Sequence, residues 1–470
     1  MRVRWWLAMG SGFLAIALLP MVAGAVPEDV KGPQAQSRPY KVKDLRVVSG
    51  PSPFAAGCPG AQSDDTNITG HELEPAITVN PDNPRNIIAA WKQDVGPDSS
   101  RSDLVGSSLD GGKTWSRSTI PGLTICTGGT ADAGSDPWVS AGGDGIVYFS
   151  GLAADISTDP PTTAVLASHS TDGGRSWPAP ATVAPPLQGN ETESITGSPT
   201  IAGRAYAVWA DFGMGNLKYA GTTDGGITWS SPVVVDQPGP AAVDVAPRLL
   251  VLPDGALLTV FARADFESGL GELHAARSLD DGQTWLPAVQ FASKPIETFF
   301  DPEGEALPQP QFPSAAVAPD GTVYVAIEAN NSATSGVIGV ARSRDGGVTW
   351  QSAPLPGVSA YAFEPAIAVD KHGTVGIIWY DLRNDRPGDA ALTADVWFAH
   401  SDDRGSSWRQ THVAGPTDLR TAPLPAHNYV GEYQGLAALR GRSFAAIFTL
   451  AAPQAKDGPT DIFFARIGPG

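Results

Sequence analysis

One octapeptide recurs six times along this chain, and its spacing limits the fold more than any other feature. The first copy is Ser-Leu-Asp-Gly-Gly-Lys-Thr-Trp at 108–115, and the others stand at 170–177, 222–229, 278–285, 343–350 and 401–408. The pattern S/T-x-D-x-G-x-S/T-W puts Asp110, Asp172, Asp224, Asp280, Asp345 and Asp403 at its third place, at intervals of 62, 52, 56, 65 and 58 residues. Self-similarity at this period marks a stack of supersecondary units. The octapeptide has the chemistry of a hairpin turn. An Asp carboxylate accepts N–H groups of its own turn, Gly supplies positive φ, and Trp folds back as an apolar plug. Six near-identical catalytic or metal sites in one chain make no chemical sense, so the six aspartates read as structural.

A second repeat precedes each octapeptide. Glu74-Pro75-Ala76-Ile77 leads to Ile87–Trp91, Asp136-Pro137-Trp138-Val139 to Ile146–Phe149, and Glu364-Pro365-Ala366-Ile367 to Val375–Trp379. Each unit thus holds two apolar strands joined by a polar turn, a third strand, the octapeptide and a fourth strand. Four antiparallel strands in roughly 57 residues are one propeller blade. We expect an all-β fold, a β-propeller of seven four-stranded blades over 70–470, with six as the alternative. The seventh copy begins at Gly431-Glu432-Tyr433-Gln434 and has no octapeptide after it. Its missing strand is expected from Asp44–Val48, within an otherwise extended segment at 26–69. The 53 Gly and 42 Pro among 470 residues exclude a long-helix protein. A hydrophobic content of 42% excludes general disorder.

Residues 1–25 read as a signal peptide, with Arg2 and Arg4, an apolar run, and Ala23-Gly24-Ala25 as the cleavage pattern. Its removal takes away two Arg and no acid, moving the net charge from −18 to −20. A surface this acidic repels nucleic acid and anionic membranes. A secreted, periplasmic or cell-surface monomer without membrane insertion is expected. Cys58 and Cys126 are the only cysteines, and an oxidising compartment would let them pair, tying the N-terminal segment to the first repeat. They cannot make a zinc site without clustered partners. No metal site is assigned. Calcium among the acids stays open, with no D-x-D-x-D-G loop to specify it. No phosphate-cradling Gly motif and no G-x-S-x-G elbow is present.

Blade geometry sorts the remaining polar residues. The octapeptide turns share one face with the turns from first to second strands. The starts of first strands and the ends of second strands meet on the other face, around the channel mouth. There stand His71, Glu72, Glu74, Asp136, Glu193, Asp244, Arg248, Tyr361, Glu364, His427, Tyr429, Glu432 and Tyr433 at first-strand starts. Lys92, Asp94, Arg263, Glu328, Tyr380, Asp381 and Arg383 stand at second-strand ends. Acids that recur in several blades can also cap neighbouring backbone. The residues that break the repeat are the better candidates: Arg248, Arg263, Arg383, Tyr380, Asp381, Glu432 and Tyr433.

The octapeptide resembles the Asp box (BNR repeat) of the sialidase superfamily. From about Phe54 to Arg466 the chain is similar to bacterial secreted sialidase-like proteins of the exo-α-sialidase family. The carrying stretches are Glu74–Pro81 with Asn83-Pro84, Ser135–Ser140, Glu193–Thr196 and Trp379–Asn384, and the two Cys also sit where such proteins have a pair. The resemblance implies a carbohydrate ligand, three Arg on a substrate carboxylate, a Tyr nucleophile backed by Glu, and an Asp acid/base. Tyr nucleophiles are a known exception among glycosidases. Arg248, Arg263 and Arg383 are then the triad, with Tyr380 and Asp381 beside it. Tyr433 and Glu432 (or Tyr361 and Glu364) are nucleophile and partner, and Asp94 is the acid/base. The sequence departs from sialidases in lacking an Arg-Ile-Pro-type motif before the first octapeptide. The expected function is that of a secreted sialidase-like propeller acting on or binding glycans, a glycoside hydrolase of exo-sialidase type if it is an enzyme. The alternative is a non-catalytic extracellular propeller binding glycan or protein.

Overall fold

The computed structural model describes residues 39–54, 58, 67–96, 100–295, 299–301, 306–307, 312–332, 335–358, 361–423 and 430–470. The expected signal peptide and the candidates His427 and Tyr429 lie outside these residues. The described chain is almost entirely β-strand, with 3-10 turns at Ile125–Thr127 and Leu419–Thr421. Its strands fall into four-stranded antiparallel units that follow chain order. Units one to six span 72–119, 133–187, 190–236, 242–295, 314–354 and 362–418. The first two are joined into one longer sheet by a single bridge, Ser100 to Gly134. A short hairpin, Phe299–Phe300 with Ala306–Leu307, stands between units four and five. The molecule is a β-propeller.

The last unit takes strands from both ends of the chain. Gly435–Leu439, Ser443–Ala451 and Thr460–Pro469 lie side by side, and Tyr40–Val47 pairs with the last of them, from Tyr40–Pro469 to Val47–Phe463. The strand expected from Asp44–Val48 is therefore this one, longer at its start by four residues.

Second strands are buried on both faces, which is why they read as unbroken apolar runs rather than alternating ones. All nine residues of Ile87–Val95 are buried, as are all nine of Ser443–Ala451. The core lies between neighbouring units. Tyr206, Val208 and Leu217 of the third pack on Leu249, Leu257 and Phe261 of the fourth. Ile87 and Trp91 of the first pack on Ile447 and Phe464 of the last. Each such side chain removed from water contributes roughly 1.5–3 kcal/mol.

The octapeptides close the outer turns as their chemistry predicts. Asp110 accepts from Lys113 N, Thr114 N and Thr114 Oγ1 at 3.0, 2.9 and 2.7 Å, and from Ser108 Oγ at 2.9 Å. Trp115 Nε1 donates to Gly112 O at 3.1 Å. The serine or threonine hydroxyl bond to the carboxylate recurs at Asp172, Asp224, Asp280, Asp345 and Asp403. Cys58 and Cys126 form a disulfide with Cα atoms 5.7 Å apart.

Candidate functional site

The Glu-Pro and Asp-Pro repeats are bulges inside the first strands. Pairing skips two residues between Leu73 and Ala76, Ser135 and Trp138, Glu191 and Ser194, Val245 and Arg248, and Phe363 and Ala366. The first skipped residue is left-handed each time: Glu74, Asp136, Thr192, Ala246 and Glu364 have φ of 57°, 52°, 51°, 51° and 48°. The second is proline in four of the five, where a missing N–H costs nothing because the position is unpaired. A non-glycine residue at positive φ costs on the order of 1–3 kcal/mol. Bulges of this kind re-aim side chains, and three of the five left-handed residues are acids: Glu74, Asp136 and Glu364.

Three units meet through one stack. Trp138 and Arg248 occupy the same place, directly after the bulge, in units two and four. Unit three carries Ser194 at that place, whose Oγ donates to Pro247 O at 2.8 Å. The Arg248 guanidinium lies 4.3 Å over the Trp138 ring and 5.8 Å from the Tyr433 ring. Tyr433 is 5.3 Å from Trp138, and its hydroxyl donates to Pro137 O at 3.1 Å. Arg248 and Tyr433 are buried, whereas Trp138 is partly exposed.

Around this stack the acids outnumber the cations. Lys92 Nζ pairs with Glu74 at 3.2 Å and also faces Asp136 and Glu432, which hold its ammonium charged despite burial. Burial pushes the Arg248 guanidinium down to about 10, against the pull of Tyr433, Asp136, Glu193 and Glu432. The carboxyls move the other way. Burial, and then the charge of Asp136, pushes Glu191 up to about 8. Burial followed by neighbouring acids raises Asp103, Glu193, Glu364 and Glu432 well above the usual carboxylate range. The carboxyl oxygens of Asp103 and Glu364 are buried and make no hydrogen bond among the described residues. Glu191 and Glu432 are the partly buried residues of this group, and the other three are buried. Asp136 accepts from Ser135 Oγ at 2.6 Å and from Thr192 N at 3.2 Å.

The structure gathers some of the sequence candidates and separates others. Arg248, Tyr433, Glu432, Glu74, Asp136 and Glu193 are electrostatic neighbours, and Glu364 faces Glu74 and Glu432. Arg263 is held elsewhere, by Asp244 at 2.6 Å and by Asp236. Arg383 is gripped by Asp381 at 2.6 Å, bonds Gln410 at 2.9 Å and lies 3.9 Å over Trp397. Among the described residues none touches two of the three arginines, so these residues give no shared fork for one carboxylate. Tyr380 joins two units, its hydroxyl donating to Thr449 O at 2.8 Å and accepting from Thr449 N at 2.9 Å. Asp381 accepts from Trp379 Nε1 at 3.0 Å besides binding Arg383.

Asp94 is placed as a brace rather than as an acid/base group. It is fully buried, pairs with Arg101 at 3.0 Å, and accepts from Ser52 Oγ, Gly70 N and Gln93 Nε2 at 2.6, 2.8 and 3.0 Å. Tyr433 has its hydroxyl on a backbone carbonyl, and burial with the nearby acids raises it well above the usual phenol range. Neither condition favours a nucleophilic phenolate. Sequence reasoning passed over Glu191, Asp103 and the exposed face of Trp138. An acid amid the otherwise buried strand Ser100–Ser108 was the available signal for Asp103.

No family model matches the chain, and no curated protein matches it by sequence. Solved structures do resemble it. A protein of unknown function from Dyadobacter fermentans superposes with a TM-score of 0.52 at 13% identity, over 92% of this chain and 99% of that one. The α-L-arabinofuranosidase of Fusarium graminearum, solved with an iminosugar inhibitor, gives 0.49 at 12% identity over 86% and 95%. The Hadza microbial sialidase gives 0.47 at 15% identity over 80% and 75%. Likeness at such identities speaks for the fold alone.

Proposed function

We propose that this protein is an extracellular carbohydrate-active propeller of seven blades, acting on a neutral glycan at the channel mouth. The observation that carries this reading is the cluster of carboxyls raised above their usual range around Lys92 and the Arg248–Trp138–Tyr433 stack. A glycosidase needs one carboxyl that still holds a proton near neutral pH and a second that works as base or nucleophile. Glu432 fits the first role, being raised by burial and by Glu74 and Asp136. Asp136 fits the second, facing Lys92 and held by two donors. Trp138 offers a partly exposed ring for a sugar face.

The charge balance favours a neutral substrate over a sialic acid. An anionic sugar calls for converging arginine forks. Here Arg263 and Arg383 are spent on Asp244, Asp236 and Asp381, and acids surround Arg248. The disulfide supports an oxidising location.

The test is hydrolysis of a panel of neutral aryl glycosides and sialosides by the wild-type protein and by Glu432→Gln. Turnover of a neutral glycoside that falls at least a hundredfold in the folded variant supports the proposal. Binding of glycans with no turnover of any panel member would instead make the protein a binding propeller.

A further inference from the structure

The opposite end of the first unit carries a cavity lined mainly by cations. It has a volume of about 480 Å³ and is lined by Arg85, Lys113, Arg440 and Arg466, with Asp82 and Asp110. Asp82 follows the strand Glu72–Val79, whose bulge residue Glu74 pairs with Lys92 in the proposed catalytic cluster. At ~3.3 Å per residue the two ends of that strand are roughly 25 Å apart. The cavity therefore lies away from the proposed catalytic cluster, where unit one meets the last unit.

Four cations converge in a chain whose net charge is −18. None of them makes an ion pair among the described residues. Arg85, Lys113 and Arg440 are exposed, and Arg466 is half-buried. The Nε of Arg466 is itself buried with no hydrogen-bond partner among the described residues. The two lining acids offset half of this positive charge and leave a net excess of cations. Asp110 spends its oxygens on Ser108, Lys113 N and Thr114 within its own turn. Asp82 is exposed.

The frame around these cations is fixed. Gly111 N donates to Arg85 O at 2.8 Å, and Arg46 Nη1 donates to Lys113 O at 2.6 Å. A methyl group on Gly111 would sit 3.7 Å from Arg466 Nη1, so that guanidinium lies close over the turn. Three of the four cations are arginines, whose planar forks match two-oxygen acceptors. The site is concave and of a size that holds a small saccharide rather than a flat protein surface.

We propose that this cavity binds an oxyanion, a sulfate, phosphate or carboxylate, carried on a saccharide, separately from any glycan at the channel mouth. The site would hold an anionic polymer while the other face works on neutral sugar.

Calorimetric titration tests this with glucuronic acid, glucose 6-phosphate, a sulfated disaccharide, inorganic sulfate, and a neutral disaccharide of equal size. At least one anionic saccharide is expected to bind, more tightly than inorganic sulfate, while the neutral sugar does not. Affinity should weaken as salt rises, since exposed cations are screened. The exposed double variant Arg85→Ala/Arg440→Ala should lose about tenfold or more in affinity, because charge-assisted hydrogen bonds to the anion are removed. Its hydrolysis of the neutral panel should match wild type. No binding by any anionic saccharide, equal binding by the double variant, or equal affinity for inorganic sulfate alone would each overturn the proposal.

Discussion

The Arg248 guanidinium lies over the Trp138 ring at 4.3 Å, two side chains from units separated by a whole blade. A desolvated cation–π contact of this kind contributes about 2 kcal/mol. Lysine has no planar face to stack, so Arg248→Lys should lower stability by ~1–2 kcal/mol in urea unfolding. It should also weaken glycan binding, by freeing Trp138 from its set orientation. Unchanged stability would show that the stack contributes nothing.

The hydroxyl of Tyr433 is bonded to Pro137 O, so it positions the ring rather than attacking a substrate. Tyr433→Phe should cost about 1 kcal/mol of stability. Its turnover should stay within a few-fold of wild type, far above that of Glu432→Gln. Loss of all turnover in a folded Tyr433→Phe protein would restore the tyrosine-nucleophile mechanism that the resemblance implies.

Asp94 ties Arg101, Gln93, Gly70 and Ser52 together in full burial. Asp94→Ala leaves the buried Arg101 without this partner, and removing one member of a buried pair costs ~3–5 kcal/mol. Thermal unfolding should show a large fall in Tm. A catalytic acid/base role would instead remove activity with little change in Tm.

Stability should fall as pH rises from about 5 to 8. Glu72, Glu191 and Glu328 are each pushed up to about 8, chiefly by burial. An unfolded carboxyl releases its proton near pH 4.3. Between the two values the folded state holds more protons, so raising the pH drains stability through that window. His71 works against this below pH 6.5, since burial lowers it to about 4. One histidine is outweighed by three carboxyls. Tm measured at pH 5 and pH 8 should therefore be higher at pH 5, and Glu72→Gln should flatten the difference.

Periodicity made the scaffold readable. Turn chemistry repeated in Asp110 and its five counterparts is local, so each octapeptide declares its own geometry. The unbroken runs such as Ile87–Trp91 declare burial on both faces in the same way. The closing strand was legible because the last unit, ending at Arg466, lacked one. The site was less legible. Glu74, Asp136 and Glu364 were visible as repeated acids, but their left-handed backbone was not, because a residue before proline ordinarily avoids that region. Grouping by face also put Arg263 and Arg383 with Arg248, since face is a property of strand ends. What holds each guanidinium is decided by local acids such as Asp244 and Asp381, which only the packed structure brings to it.

The most direct test of the whole account is a crystal structure of Glu432→Gln grown with a neutral oligosaccharide. The account predicts sugar at the channel mouth, with one ring against Trp138 and a glycosidic oxygen at residue 432. A channel mouth empty of sugar, or sugar bound only among the octapeptide turns, would contradict it.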